Sequence, residues 1–399
     1  MKLLVKKSNV TEAIFYSFII LFMMFREMLN LNAIFFGVDS SGYRILKIVL
    51  LISTTILFLL TIQLFLTRLK KITFFWYCML FILALYTYFF SSGAEDVYKG
   101  ESLWSSVFVF SATALLLIPE IKDFSLFLGI YKYYSIAIVI YATIILVFRN
   151  IGSSYMGFSY SMLLCVLILF YLGLFKNDRL SILFSVLGIA VDIAGGTRGS
   201  IICILAMILS FLVLSKKWKE CFLILFMALI IAFNFDSILN RVSLILNYLN
   251  IDSRIVDALY STNMSGITFA NGRLSITNAC IELIKNNPLG YGFLGERAPL
   301  NSKIWWFGTD GYAHNIFIEF ILQYGVIIGF LLVIVFVFAI VKFFIKFDKN
   351  SSMYGLTLVL ICYNTHLLVS RSYTTTFAFY ALAVLLYMCL NRKFGGNAY

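Results

Sequence analysis

AHNIFIEFILQYGVIIGFLLVIVFVFAIV, residues 313–341, decides the fold class of this chain. From Phe320 to Val341 it holds no charged side chain, and such a run exceeds the ~20 apolar residues that carry a helix across a bilayer. Its head differs from its body: Ala313-His314-Asn315 sets one of only two histidines in the protein where a polar segment meets the apolar one. Outward from this run, apolar stretches recur at 11–31, 45–66, 72–92, 103–118, 125–148, 155–175, 178–194, 199–214, 218–235, 353–370 and 372–390. With 313–341 they predict an all-α polytopic membrane protein of about twelve spans. Those at 103–118 and 199–214 are short and need flanking residues to complete a crossing. A composition of 62% hydrophobic and 13% charged residues over 399 positions, with mean hydropathy +0.96, excludes a soluble globular domain.

The net charge of +12 follows from topology rather than from a nucleic-acid or acidic partner. Basic residues gather at alternate connections: Lys2, Lys6 and Lys7; Arg68, Lys70 and Lys71; Lys122; Lys176 and Arg179; Lys216, Lys217 and Lys219; Lys342, Lys346 and Lys349; Arg392 and Lys393. Positive charge marks the cytoplasmic side, so both termini are expected inside. The chain then divides into an N-terminal transmembrane bundle (1–235, about nine helices), a large external loop (236–312) and C-terminal transmembrane helices (313–399). The first apolar run is too long for a signal-peptide core and is expected to stay as a span. No lipidation signal is evident. The cysteines fall mostly within spans and only Cys280 in the external loop, which leaves no disulfide framework there.

Long loops usually carry structure of their own and usually function. Short helices are expected at 238–250 and 254–260. A clearer one covers 274–285, where Leu274, Ile276, Ile281 and Ile284 recur at near-helical spacing and Asn287-Pro288 ends the run. Gly290 and Gly292 then permit a tight turn around Tyr291.

Arg198, Arg273 and His314 form the candidate constellation on the external side. Each also admits a purely structural reading: an interface anchor, a solvated loop charge, a satisfied interface histidine. Arg273, taken at the start of its helix, is placed to join free N–H groups in holding an anion. Two guanidiniums suit the departing phosphates of a lipid-linked sugar pyrophosphate, and a neutral imidazole can take the proton of an attacking sugar hydroxyl. This scheme needs no metal and no cofactor, and the sequence has no Asp-x-Asp pair and no His/Cys cluster at zinc spacing. Trp305-Trp306 is similar to the Trp-Trp-Asp signature of asparagine-linked oligosaccharyltransferases, but Phe307 follows where the acid should be, so the pair reads as an interface or sugar-stacking element. Arg26-Glu27 are helix neighbours that do not face each other and so make no ion pair of their own.

Gly272-Arg273, the turn Asn287-Pro288-Leu289-Gly290-Tyr291-Gly292, Ala313-His314-Asn315, and Glu319 with Gly325 and Gly329, in this order around a large external loop, resemble the O-antigen polymerase and ligase superfamily. Thr197-Arg198-Gly199 is similar to its upstream Arg-Gly element. The family's tryptophan a few residues after the loop arginine is absent, and Ser275-Ile276-Thr277 stand there. The resemblance implies a GT-C-like membrane glycosyltransferase of the bacterial plasma (inner) membrane, its active site facing the periplasm or exterior, with an undecaprenyl-pyrophosphate-linked oligosaccharide as donor. It implies that Arg198 and Arg273 bind the pyrophosphate and that His314 activates the acceptor. Asn315, Glu319, Tyr291, Asp192, His366 and Arg371 are further candidate substrate-binding residues. Glu319, about one helical turn past His314, is placed to orient it. A polymerase that joins repeat units is favoured, with room for a chain-length-regulating partner. An O-antigen ligase acting on lipid A core is the alternative, and a lipid-linked oligosaccharide flippase the alternative of another class. Unusual polar residues gathered at one face, rather than at the midplane, favour the enzyme over the transporter.

Overall fold

The structure is a computed structural model that describes residues 7–90, 103–149, 155–195, 197–220, 268–304 and 311–391. The expected helices at 238–250 and 254–260, the Trp305-Trp306 pair and nearly all of the expected span at 218–235 lie outside the described residues. Among those described, the secondary structure is helical throughout. Among the described residues, six helices are long and apolar enough to cross a membrane, within α1 (Lys7–Phe36), α2 (Ser41–Arg68), α3 (Lys71–Phe90), α4 (Phe124–Phe148), α5 (Tyr155–Lys176) and α10 (Ile316–Ile345). Shorter helices are α6 (Arg179–Gly195), α7 (Arg198–Leu214), α8 (Thr268–Asn286), α9 (Arg297–Lys303), α11 (Ser352–Asn364) and α12 (Phe377–Asn391).

Two sequence-expected spans are interrupted for visible reasons. The segment at 103–118 contains a π-helical turn, Ser105–Val109, then Ala114–Leu117 and a 3₁₀ turn, Ile118–Glu120. Hydroxyls open the helical ladder here: Ser111 Oγ donates to the Ser106 carbonyl at 2.8 Å and Thr113 Oγ1 to the Val109 carbonyl at 2.8 Å. The run at 353–370 stops being α-helical at Asn364, whose Nδ2 donates to the Ala378 carbonyl at 3.1 Å, and continues as the 3₁₀ turn Thr365–Leu368.

The chain forms two compact units. The first comprises residues 1–61, 123–267 and 349–363. Its central helix is α5, most of it buried, with α1, α4, α6 and α7 packed around it. Tyr171, Phe158 and Tyr131 fill its core. Two polar contacts link its helices: Tyr141 donates to Asn32 at 2.7 Å, and Ser161 Oγ donates to Glu27 at 2.8 Å, so Glu27 engages another helix. At the α5–α6 turn Lys132 pairs with Asp178, which also accepts from Ser181 at 2.7 Å.

The second unit comprises residues 62–122, 268–348 and 364–399. Within it, α3 packs on the interrupted segment 105–120, that segment on α12, and α12 on α10, while α8 packs on both α9 and α10. Beyond Gly325, α10 exposes Ile327, Leu331, Val335 and Phe338, apolar side chains that suit hydrocarbon surroundings. This is the pattern of an integral membrane protein.

Candidate active site

The turn 287–292 is built into α10. Tyr291 N–H donates to the Leu322 carbonyl at 2.8 Å, Gly292 N–H to Gln323 at 2.9 Å, and Val326 N–H to Pro288 at 2.9 Å. These bonds serve backbone groups freed where α10 kinks at Gly325 (φ 80°, ψ 170°). Gly290 (φ +89°) lies directly against the kink: a Cβ there would meet Gly325 N at 2.4 Å, and a Cβ on Gly325 would meet the Leu289 carbonyl at 2.6 Å. Gly325→Ala is therefore expected to cost about 2 kcal/mol or more, from left-handed backbone and overlap together. Thermal unfolding of the purified protein checks this, and an unchanged midpoint would contradict the interlock. Tyr291 wedges the turn, its hydroxyl donating to the Leu283 carbonyl at 3.2 Å while its side chain packs against the buried cluster that includes Ile276, Cys280, Leu300 and Leu322.

His314 precedes the helix rather than lying in it. Asn315 is the N-cap of α10, its Oδ1 accepting from Phe317 N–H at 3.0 Å and Ile318 N–H at 3.2 Å, the usual office of an asparagine there. Its Nδ2 donates to the Leu368 carbonyl at 3.2 Å. His314 itself adopts φ +54° and is half-buried, and its imidazole lies tilted at 43° against Tyr312 with ring centroids 4.2 Å apart. A left-handed backbone at a non-glycine residue is strained and is found disproportionately at functional sites. Arg371, at φ +58°, is another such position. It comes to the same place, for its backbone N–H and its charge both act on the Tyr312 hydroxyl. Burial still dominates there and pushes the Tyr312 phenol up. His366 is fully buried in the 3₁₀ turn Thr365–Leu368, where its carbonyl accepts from Ser370 N–H at 2.8 Å.

Beneath Tyr312 lies a buried polar network of which the sequence singles out Glu319 alone. The Arg297 guanidinium sits 6.0 Å over the Tyr312 ring and donates to Thr374 Oγ1 at 3.4 Å. Thr374 shares a 2.7 Å bond with Ser372, which donates to Glu319. Gln323 Nε2 donates to Glu296 at 2.9 Å and its Oε1 accepts from the Tyr373 hydroxyl. Glu296, Arg297, Glu319, Gln323, Ser372, Tyr373 and Thr374 are all buried. Glu319 thus engages Ser372 in the network, a task beyond the orientation of His314 expected from spacing alone. A paired opposite charge, Glu296-Arg297, and the hydroxyl run Ser372–Thr376 in an otherwise apolar C-terminal region were the available signals.

Burial pushes the Glu296 carboxyl up from its ordinary value, against the pull of Arg297 and the Gln323 bond. A raised folded-state pKa means that Glu296 supports the fold fully below the unfolded value of ~4.3 and loses that support as pH rises through the folded value. Glu296→Gln, which still accepts from Gln323, should flatten this fall. Melting temperatures measured across pH for both proteins check it, and parallel curves would contradict it.

Asp192 and Arg198 belong to the first unit. Arg198 opens α7, with Thr197 as N-cap residue, and Asp192 is fully buried near the end of α6 with the Ser159 and Ser200 hydroxyls beside it. Glycine is required at 199 because a Cβ would lie 1.9 Å from the Tyr160 hydroxyl. In the second unit Arg273 lies in the second turn of α8, which starts at Thr268 and not at Leu274. That corrects the expectation that Arg273 sits among free N–H groups, since these belong to the first four residues of a helix.

A helical integral membrane protein, with a strained histidine at the head of an apolar helix and a buried charged network below it, is the class these features define. Residues 182–334 match the Wzy_C family model, O-antigen ligase, and in this region the chain is similar to the O-antigen polymerase and ligase superfamily. The members of that family are membrane enzymes of the glycosyltransferase and ligase type that act on lipid-linked oligosaccharide. No curated protein and no solved structure matches the chain. The matched region holds Asp192, Arg198, Arg273, Tyr291, His314, Asn315 and Glu319 and ends before His366 and Arg371.

Proposed function

We propose that this protein is a GT-C-type polymerase that joins undecaprenyl-pyrophosphate-linked oligosaccharide repeat units on the outer face of the bacterial plasma membrane, both of its termini being cytoplasmic. The observation that carries the reading is His314, held at φ +54° against Tyr312 at the head of α10, within the matched region. In the reaction the acceptor hydroxyl oxygen attacks the anomeric carbon of the donor. The new glycosidic C–O bond forms as the bond to the pyrophosphate breaks. His314 takes the hydroxyl proton, and the electron pair leaves with undecaprenyl pyrophosphate. Arg273 stabilises the charge that develops on the leaving group. The same reading assigns Arg198 a pyrophosphate-binding role, since a guanidinium suits a diphosphate. Asp192, His366 and Arg371 remain substrate-cavity assignments within this proposal, Arg371 through its tie to Tyr312. A chain-length-regulating partner fits a polymerase.

The second reading is an O-antigen ligase, favoured by the description of the family model that matches. The two differ in acceptor. Purified protein is given lipid-linked repeat units alone and, separately, with lipid A core. A ladder of lengthened lipid-linked products from the units alone supports the polymerase, and product only on lipid A core transfers the assignment to the ligase. Movement of lipid-linked units across vesicles without bond formation would return the flippase.

A further inference from the structure

An open cavity of about 530 Å³ lies in the second unit between α8 and the end of α9, lined by Leu274, Ser275, Asn278, Ala279, Glu282, Lys303 and Ile304. Its size falls in the range of small-molecule sites. The lining follows from sequence: 274, 278 and 282, like 275 and 279, are four apart and share one helix face. The next face of α8 is committed elsewhere, Ile276, Cys280 and Leu283 packing with Leu300 and Leu322. This helix therefore has a buried side that fixes it and a polar side left open. Glu282 and Lys303 pair at 2.5 Å across the cavity wall, tying α8 to α9.

The chemistry of the lining selects its ligand. The paired carboxylate and ammonium leave the wall with no net charge, so it offers a phosphate or another anion no unmatched cation. Ser275, Asn278 and the Glu282–Lys303 pair present hydroxyl, amide, carboxylate and ammonium groups, a poor bed for a prenyl chain. Leu274 is the exposed apolar side chain beside them, over a floor of Ala279 and Ile304, which belong to the buried cluster. Hydrogen-bonding groups that both donate and accept, next to an exposed apolar side chain, match a pyranose ring with its hydroxyl rim and its C–H face. We infer that this cavity is a subsite for uncharged sugar residues of the glycan, with Asn278 and Ser275 its hydrogen-bonding residues. The inference rests on the proposed glycosyl transfer for the identity of the sugar.

The test uses full-length protein in nanodiscs and, as probe, the free repeat-unit oligosaccharide released by mild acid from the lipid-linked donor of the host. Binding is read by saturation-transfer NMR for the wild type, His314→Ala, Asn278→Ala and Asn278→Trp. Asn278 is exposed, so neither substitution disturbs the core, and unchanged melting temperatures confirm it. Wild type and His314→Ala are expected to bind equally, Asn278→Ala about tenfold more weakly and Asn278→Trp weaker still. Equal binding by Asn278→Trp and wild type, or no binding by wild type, overturns the subsite. Because this readout involves no bond formation, its failure is distinguishable from failure of the transfer reaction, which would show as probe binding without product.

Discussion

Replacing His314 with alanine is expected to slow glycosyl transfer by about 10²- to 10⁴-fold, the range of general-base assistance, while the protein remains folded. The imidazole is half-buried and lies tilted against the ring of Tyr312, 4.2 Å between centroids. Losing that contact leaves the Asn315 cap and the buried network below it in place. His314→Asn is the sharper companion, since asparagine tolerates a left-handed backbone well and cannot serve as the base. Both variants should bind donor as the wild type does and fail in the chemical step, so the loss belongs in kcat. Transfer at wild-type rate by both would remove His314 from the mechanism. Loss in His314→Ala with full rescue by His314→Asn would make the histidine a backbone device and not a base.

Arg297→Met should produce the largest loss of stability, about 3 kcal/mol or more. Arg297 is 3% exposed, and its charge acts on both Glu296 and Glu319. Methionine keeps much of the volume but leaves the two carboxyl groups without their buried cation, and Thr374 and the Tyr312 ring lose a partner. The stranded charge is the main cause, so Arg297→Met with Glu319→Gln should recover part of the loss. Chemical denaturation in detergent measures both. A single variant as stable as wild type, or a double variant worse than the sum of its parts, would contradict the network as described. Since Tyr312 stands between Arg297 and His314, residual folded Arg297→Met should also show a weakened transfer rate.

Membrane class was legible because a helix that faces hydrocarbon must be largely apolar along its length, and 320–341, free of charged side chains, satisfies that from composition alone. The turn 287–292 was legible too, since glycines at 290 and 292 and a proline at 288 admit few backbones. Where that turn docks was not, because its partner is the kink at Gly325, contributed by another part of the chain. Hydropathy read 103–118 and 353–370 as continuous spans and passed over the hydroxyl and amide bonds that interrupt them. The nine candidate site residues were chosen as polar groups near span ends. That rule found His314 and Arg371, which meet through Tyr312, and passed over Glu296, Arg297, Gln323 and Ser372. Those last lie in segments that look like ordinary solvated loop until packing buries them.

The central claim is that the protein forms a glycosidic bond at the expense of a lipid-pyrophosphate linkage, with His314 as the base. Its most direct test is mass spectrometry of products from purified wild-type protein and His314→Asn, each incubated with lipid-linked repeat units. The account predicts two-repeat and longer glycans on a single carrier, one undecaprenyl pyrophosphate released for each new bond, and neither from the variant. Carrier release without glycan growth, or equal products from both proteins, would contradict it.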